Sequence, residues 1–314
     1  GAVDGEEFEF IELKNVGSVE LDLSGVHFAS GISYTFPNGT RLGPGGFLVL
    51  AANEVRFGER YPGVRVDGIY TNNLANSGEP LALAHATGAL IQDFSYGDDS
   101  PWPATPDGNG FSLVPVTYDL EADFTNPASW RASSRSGGSP RQNDPPANIP
   151  AVVLNEVLAH TDLPDMDSVE IFNPTAAPAD ISGWYLTDRI GTPRKFQLPA
   201  GTSIAAGEYL VLDEDDFNTG DELGFNLSSH GEEIYLFSAD AAGELTGYVT
   251  GFAFGASLNG VSFGRYTNSI GEVFHPAQAQ VTLGAPNAGP RIGPVVINEI
   301  RYAPELGEDE FVEL

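Results

Sequence analysis

Short stretches in which apolar and polar residues alternate run along the whole chain. Clear examples are residues 8–13, 209–212, 234–237 and 249–254, all rich in aromatic and branched side chains. Clusters of Gly, Asn, Asp and Pro bound these stretches at intervals of roughly 8–15 residues, as is typical of strands joined by turns. The pattern predicts an all-β fold, with strands arranged as a sandwich of two antiparallel sheets.

Helix-forming patterns are scarce by comparison. The best candidate is Ala51–Tyr61, AANEVRFGERY, which is followed by Pro62. Proline cannot continue a helix, because it lacks the backbone N–H and its ring clashes with the preceding turn. We therefore expect one or two helical turns here.

A set of motifs occurs twice, in the same order in both copies. The matched pairs are DLSGVHF at 22–28 with DISGWYL at 180–186, FPNGTRLGPGGFLVL at 36–50 with LPAGTSIAAGEYLVL at 198–212, NSGEPLAL at 76–83 with SHGEEIYL at 229–236, and GGSPRQN at 137–143 with LGAPNAG at 283–289. Collinear self-similarity of this extent predicts a tandem duplication.

Three module starts are visible. VVLNEV at 152–157 and VVINEI at 295–300 are each followed by an acidic strand, SVEIFNP at 168–174 and EFVEL at 310–314. A third copy of the acidic strand, EFIELKN, lies at 9–15 without an opening strand before it. This difference suggests a fragment of a longer tandem array.

Proline-rich segments separate the repeats and favour stiff connectors. The predicted organisation is module one at 1–143 without its first strand, a linker at 144–150, module two at 151–289, and at 290–314 a linker with the first strands of a third module.

The repeated succession NE(V/I), (V/I)E(L/I)xN, D(L/I)SGwyL, PxGTxIxxGxYLVL, GExxYL and (T/S/A)PxxN resembles the lamin tail domain. Module two matches closely through Trp184 and Gly201-Thr202, whereas Val26 replaces that tryptophan in module one. The resemblance implies immunoglobulin-like β-sandwiches without catalytic activity. Prokaryotic members of this family are typically repeats or appendages in large secreted and cell-surface proteins.

The large excess of acidic over basic residues argues against nucleic acid as a partner. The chain has 44 Asp+Glu against 14 Lys+Arg, a formal net charge of -30, and its arginines are scattered. Nucleic-acid binding requires a basic surface that displaces counterions from phosphates, so we expect no nucleic-acid partner. No apolar stretch approaches the roughly 18 residues of a membrane helix, so we expect no direct membrane insertion.

Catalytic motifs are absent from the sequence. Without cysteine there are no thiolate zinc sites or cysteine nucleophiles. The five histidines show no HxH or HExxH spacing, and no GxSxG motif occurs. The sequence therefore predicts a protein that is not an enzyme and has no catalytic residues.

Acidic side chains cluster between residues 213 and 222. Calcium binds six to eight oxygens that such a loop can supply, which makes this segment a candidate calcium site. Phe217 occupies a position where an EF-hand loop would carry a ligand, so the alternative is a solvated acidic loop. The candidate ligands are Asp213, Asp215, Asp216, Asn218 and Asp221.

The three tryptophans differ in their surroundings. Trp102 lies between Pro101 and Pro103 in a Gly- and Asp-rich segment, which makes it a candidate platform for stacking on a sugar ring. Its alternative role is a plug over one end of the sandwich. Trp130 and Trp184 are predicted to be core residues.

The start of the third module is a candidate for assembly. A strand without its own module can pair with an open sheet edge. Donation to module one of the next chain would give an open head-to-tail filament, whereas in a longer array other residues would supply that strand. The candidate assembly residues are Val295, Val296, Ile297, Asn298, Glu299 and Ile300.

Together these patterns predict a non-enzymatic structural or adhesive repeat of an extracellular surface protein or fibre. Its expected partners are adjacent repeats or neighbouring copies of the same chain. The alternative is an accessory module of a secreted hydrolase that binds polysaccharide or cell wall. Calcium is the one cofactor the sequence suggests.

Overall fold

A computed structural model describes residues 5–119, 121–146, 149–220, 222–293 and 297–302, and the backbone of 311–313. The chain divides into two compact units, one comprising residues 1–149 and 237–249, the other residues 150–236 and 250–314. Strands dominate both units, which confirms the all-β prediction.

The described part of residues 1–149 contains ten strands and one short α-helix, with two turns of 3-10 helix at Gly5–Phe8 and Pro127–Ser129. These elements are β1 Phe10–Lys14, β2 Leu21–Asp22, β3 His27–Ser30, β4 Arg41–Leu42, β5 Phe47–Ala51, α1 Glu54–Arg60, β6 Gly68–Ile69, β7 Pro80–Ala84, β8 Leu90–Ser95, β9 Leu113–Pro115 and β10 Trp130–Ala132. Their sheets have the orders β1-β5-β6, β3-β7-β8, β2-β4 and β9-β10. The pairing of β5 with β6 is parallel, so the expectation of purely antiparallel sheets is wrong at this pair.

The rest of the chain forms β11 to β24 and a second short helix. These elements are β11 Val153–Leu158, β12 Ser168–Phe172, β13 Ala179–Asp180, β14 Tyr185–Thr187, β15 Phe196–Gln197, β16 Ser203–Ile204, β17 Tyr209–Asp213, α2 Glu214–Phe217, β18 Gly231–Ala239, β19 Leu245–Gly255, β20 Phe263–Gly264, β21 Tyr266–Thr267, β22 Val273–Phe274, β23 Glu299–Arg301 and β24 Phe311–Glu313. Two four-stranded sheets, β17-β12-β11-β20 and β15-β14-β18-β19, accompany the pairs β13-β16, β21-β22 and β23-β24.

Strand β5 is apolar throughout because both of its faces are buried. Leu48 and Leu50 point into the main core of the first unit. Val49 and Ala51 pack on the opposite face against Phe57 of α1. Side chains alternate between the faces of a strand, so a run such as FLVLA needs a cover on each side.

Helix α1 lies within the segment for which helical turns are predicted. Asn53 caps its start, because its side-chain oxygen accepts the backbone N–H groups of Val55 (3.0 Å) and Arg56 (3.2 Å). The helix ends at Arg60, ahead of Pro62. The prediction is confirmed.

Val26 and Trp184 occupy the same place in their respective modules. Both are buried, with Trp184 only 3% exposed. The carbonyl of Val26 accepts the N–H of Phe36 (2.8 Å), and that of Trp184 accepts the N–H of Leu198 (2.8 Å). The matched motifs thus form the same local structure, and the predicted burial of Trp184 is confirmed.

Trp130 differs from its predicted core position. It is only partly buried and packs against Phe94 and Phe124, with ring centroids 5.2 and 5.6 Å away. Its indole N–H donates to the carbonyl of Phe124 (2.8 Å). The side chain of Trp130 therefore lies in an aromatic cluster with Phe94 and Phe124, outside the main core.

Candidate functional site

The asparagine of the (V/I)E(L/I)xN motif joins the end of its strand to a later strand of the same module. In module one the side-chain amide of Asn15 donates to the carbonyl of Leu42 (2.9 Å). In module two Asn173 donates in the same way to Ile204 (3.0 Å). Both asparagines are buried, so these bonds replace water and hold the chain in place.

Glu156, the glutamate of the NE(V/I) motif, is fully buried in β11. Its Oε1 accepts the hydroxyl of Ser262 (2.5 Å) and the backbone N–H of Thr282 (2.9 Å). Its Oε2 accepts the hydroxyl of Thr282 (2.6 Å). One carboxyl group thus joins β11 to residues 282–289, the closing segment of module two.

Glu170, the glutamate of the next strand, makes a second tie to the closing segment. Its Oε1 accepts the side-chain amide of Asn155 (2.7 Å), and its Oε2 accepts the backbone N–H of Gly284. Asn155 also donates to Oδ1 of Asn287 (2.8 Å). Burial raises the pKa of Glu170, and the hydrogen bonds from Asn155 and Gly284 partly oppose that shift.

We call this network, in which both carboxyl groups are buried, the closing clamp. All four carboxyl oxygens of Glu156 and Glu170 accept hydrogen bonds from the protein itself. Both carboxyl groups are completely buried, and their hydrogen bonds link β11 and β12 to residues near the end of module two. The network therefore connects parts of module two to one another. Its members are Asn155, Glu156, Glu170, Ser262, Thr282, Gly284 and Asn287.

Module one has a related but less complete arrangement around Glu12 of β1. Oε2 of Glu12 accepts the backbone N–H of Arg141 in the closing segment, and Arg141 in turn pairs with Asp67. Among the described residues, Oε1 of Glu12 has no hydrogen-bond donor. Burial raises the pKa of Glu12 to about 7, and the contacts with Arg141 oppose that shift.

The predicted calcium ligands lie in and around α2. Asp213 caps this helix by accepting the N–H of Asp215 (3.1 Å), and Asp216 accepts the N–H of Asp213 (3.1 Å). The side chain of Asp213 also accepts from the backbone of Asp216, so these two residues form a capping box, with Phe217 buried at the end of the helix. The segment is therefore partly helical, and the expectation of an open loop is wrong for Glu214–Phe217.

Asn218 follows the helix and donates to the side chain of Glu214 (3.1 Å). Asp221 lies outside the described residues. Where the structure describes the chain, no three His, Asp or Glu side chains form a group suited to a metal ion. Calcium binding by this segment remains a prediction.

Trp102 is partly buried, with its indole against the backbone of Gly97. A Cβ atom at Gly97 would lie 3.0 Å from the indole nitrogen, so glycine permits this close contact. The backbone N–H of Trp102 donates to Asp99 (3.0 Å). Both interpretations, sugar platform and plug, stay open at this position.

The predicted assembly segment is described in part. Val295 and Val296 lie outside the described residues. Ile297 is 61% exposed and Ile300 54% exposed. Strand β23 pairs antiparallel with β24, with Glu299 opposite Glu313 and Ile300 opposite Val312. The assignment of these two strands to a third module stays a prediction.

Comparisons with known proteins agree with the sequence motifs. A family model described as Lamin Tail Domain matches residues 1–98 and 145–251, more than half of the chain. No curated protein and no solved structure matches. Within the described residues, no helix has the length and apolar character required to cross a membrane.

Proposed function

Because this chain belongs to the lamin tail domain family, we propose that it is a non-enzymatic structural or adhesive repeat of an extracellular surface protein or fibre. The family consists of structural immunoglobulin-like modules and is not catalytic. The observation that carries the proposal is the closing clamp, in which the buried carboxyl groups of Glu156 and Glu170 accept hydrogen bonds from within module two.

The clamp suits a module that must hold its shape within a chain of repeats. Thr282 and Gly284 lie near the end of module two, and their bonds to β11 and β12 fasten that end to the sheet. These bonds are costly to break, because the carboxyl groups of Glu156 and Glu170 are buried and would lose acceptor bonds that water does not replace. The net charge of -30 favours solubility of such an array.

Surface labelling of the source cells tests the extracellular role. An antibody raised against the 314-residue chain should label intact cells, and external protease should remove the label. A cytoplasmic protein of the same cells serves as the control that protease leaves intact. Labelling that requires permeabilised cells contradicts the proposal.

Polysaccharide binding is the second candidate, and the partial exposure of Trp102 between two prolines supports it. A glycan array probed with the chain should then show binding that Trp102→Ala abolishes. Tyr266→Ala is the control, because Tyr266 is an exposed aromatic residue of module two, away from Trp102 in the sequence. Binding that survives Trp102→Ala excludes this site, and an array without hits excludes the activity for the glycans presented.

A further inference from the structure

Equivalent strands of the two modules differ in how they are paired. In module two, β12 lies between β17 and β11, so both of its edges are occupied. In module one, β1 pairs with β5, and among the described residues its other edge has no partner strand. All five residues of β1 are only partly buried, whereas four of the five residues of β12 are fully buried.

The direction of the free hydrogen-bonding groups of β1 follows from the ladder with β5. Asn15 donates its N–H to the carbonyl of Gly46 (3.0 Å) at one end, and Ala52 donates to Glu9 (3.0 Å) at the other. Backbone groups of successive residues in an antiparallel strand point to opposite edges.

Ile11 and Leu13 therefore direct their N–H and carbonyl groups toward β5. Phe10, Glu12 and Lys14 direct theirs toward the unpaired edge. This edge is a row of donors and acceptors that can template another strand.

Module two shows what occupies the corresponding edge. There, Glu156 of β11 lies opposite Glu170, and Val157 lies opposite Val169. Asn155 sits at an irregularity of this ladder, and its side chain reaches Oε1 of Glu170. The occupant of the edge is thus the NE(V/I) strand.

The chain carries a second strand of this type at its third module start. VVINEI at 295–300 matches VVLNEV at 152–157, and its partner EFVEL at 310–314 matches EFIEL at 9–13, which contains most of β1. In β23 and β24, Glu299 lies opposite Glu313 and Ile300 opposite Val312. If EFIEL of module one takes the place of EFVEL beside β23 in this register, Glu299 lies opposite Glu12 and Ile300 lies opposite Ile11.

We propose that β1 of one chain accepts residues 297–301 of a second copy in this register. The proposal deepens the proposed function, on which it rests, by naming the contact through which such repeats assemble. Asn298 would donate to Oε1 of Glu12, the oxygen without a donor among the described residues, as Asn155 does to Glu170. The exposed side chains of Ile297 and Ile300 would become buried, as their counterparts Leu154 and Val157 are.

The contact forms when β23 leaves β24 and pairs with β1 of another chain. Accepting β23 onto β1 releases its pairing with β24, a ladder of three residue pairs. The new partner is a five-residue strand already backed by β5. The donor strand and the acceptor edge are different surfaces of the chain. A chain that has donated its strand therefore still has a free acceptor edge, so further chains can add and form an open filament.

Disulfide trapping between two single-cysteine chains tests both partner and register. The chain has no cysteine, so a mixture of Ile11→Cys and Ile300→Cys chains can form only intermolecular disulfides. Disulfides require Cβ atoms about 4 Å apart, and directly opposed residues of neighbouring strands meet this condition. Under mild oxidation we expect the mixed dimer in at least tenfold excess over either homodimer.

Ile270→Cys is the matched control for Ile300→Cys, because Ile270 is also an exposed isoleucine. Circular dichroism of each variant establishes that it is folded. The proposal is overturned if Ile11→Cys forms no more mixed dimer with Ile300→Cys than with Ile270→Cys. So does a chain that stays monomeric in sedimentation velocity up to about 100 μM. Either failure leaves the surface-labelling result unaffected, so the proposed function is judged separately.

Discussion

Thr282 donates two hydrogen bonds to the carboxyl group of Glu156, although 126 residues separate them in sequence. The backbone N–H reaches Oε1 at 2.9 Å and the hydroxyl reaches Oε2 at 2.6 Å. Glu156 is 0% exposed, so these donors take the place of water around its carboxyl group. The pair joins the first strand of module two to its closing segment.

Removing this carboxyl group should destabilise module two. Glu156→Ala leaves the donors of Ser262 and Thr282 without an acceptor in a buried site, which should cost about 3–5 kcal/mol of unfolding free energy. Glu156→Gln keeps the shape and one oxygen and should cost less. Urea titration of the three proteins measures the difference, and equal midpoints would exclude the clamp as a source of stability.

Trp184→Ala should also destabilise module two, because it leaves a large cavity. The side chain is buried, and truncation of a buried tryptophan costs about 3–5 kcal/mol. Trp102→Ala is the control, since Trp102 is only partly buried and should cost less. Denaturant unfolding followed by circular dichroism compares the two. A larger loss for Trp102 than for Trp184 would contradict the assignment of the core.

The stability of module one should fall as the pH rises from about 4.5 to about 7. The folded state raises the pKa of Glu12 from 4.5 to about 7 by burial, so in this window it retains a proton that the unfolded chain has released. Proton binding by the folded state alone stabilises it at the lower pH. Glu12→Gln cannot titrate and should show a flatter dependence in thermal melts across this range, whereas identical slopes would exclude Glu12 as the cause.

Calcium binding by the acidic segment around α2 predicts a stability change. A ligand that binds only the folded state raises the melting temperature by mass action, so millimolar calcium should raise it and a chelator should reverse the effect. Sodium chloride at matched ionic strength controls for charge screening. Equal shifts in both salts, or a calcium shift that survives Asp215→Asn with Asp216→Asn, would rule out a site formed by these residues.

Periodicity and internal repeats were enough to predict the all-β class, the helical turns at α1 and the burial of Trp184. The closing clamp was not predictable in the same way, because Glu156 and Thr282 meet only after the module has folded. Its sequence signals were the NE(V/I) and (V/I)E(L/I)xN motifs, which supply Glu156 and Glu170, and the sequence APN at 285–287, which supplies Asn287. At α2, Asp213 and Asp216 suit a helix cap as well as a cation, since both use carboxylate oxygens.

The edge of β1 that has no partner strand among the described residues is the feature on which the proposed assembly depends, and amide hydrogen exchange measured by NMR tests it directly. In dilute solution the amides of Ile11 and Leu13 should exchange slowly, whereas those of Phe10, Glu12 and Lys14 should exchange at least about 100-fold faster. Raising the protein concentration should protect the amides of Phe10 and Glu12, which lie opposite the donated segment, as strand donation begins. Slow exchange at all five positions in dilute solution would show that the edge is already occupied and would contradict this account.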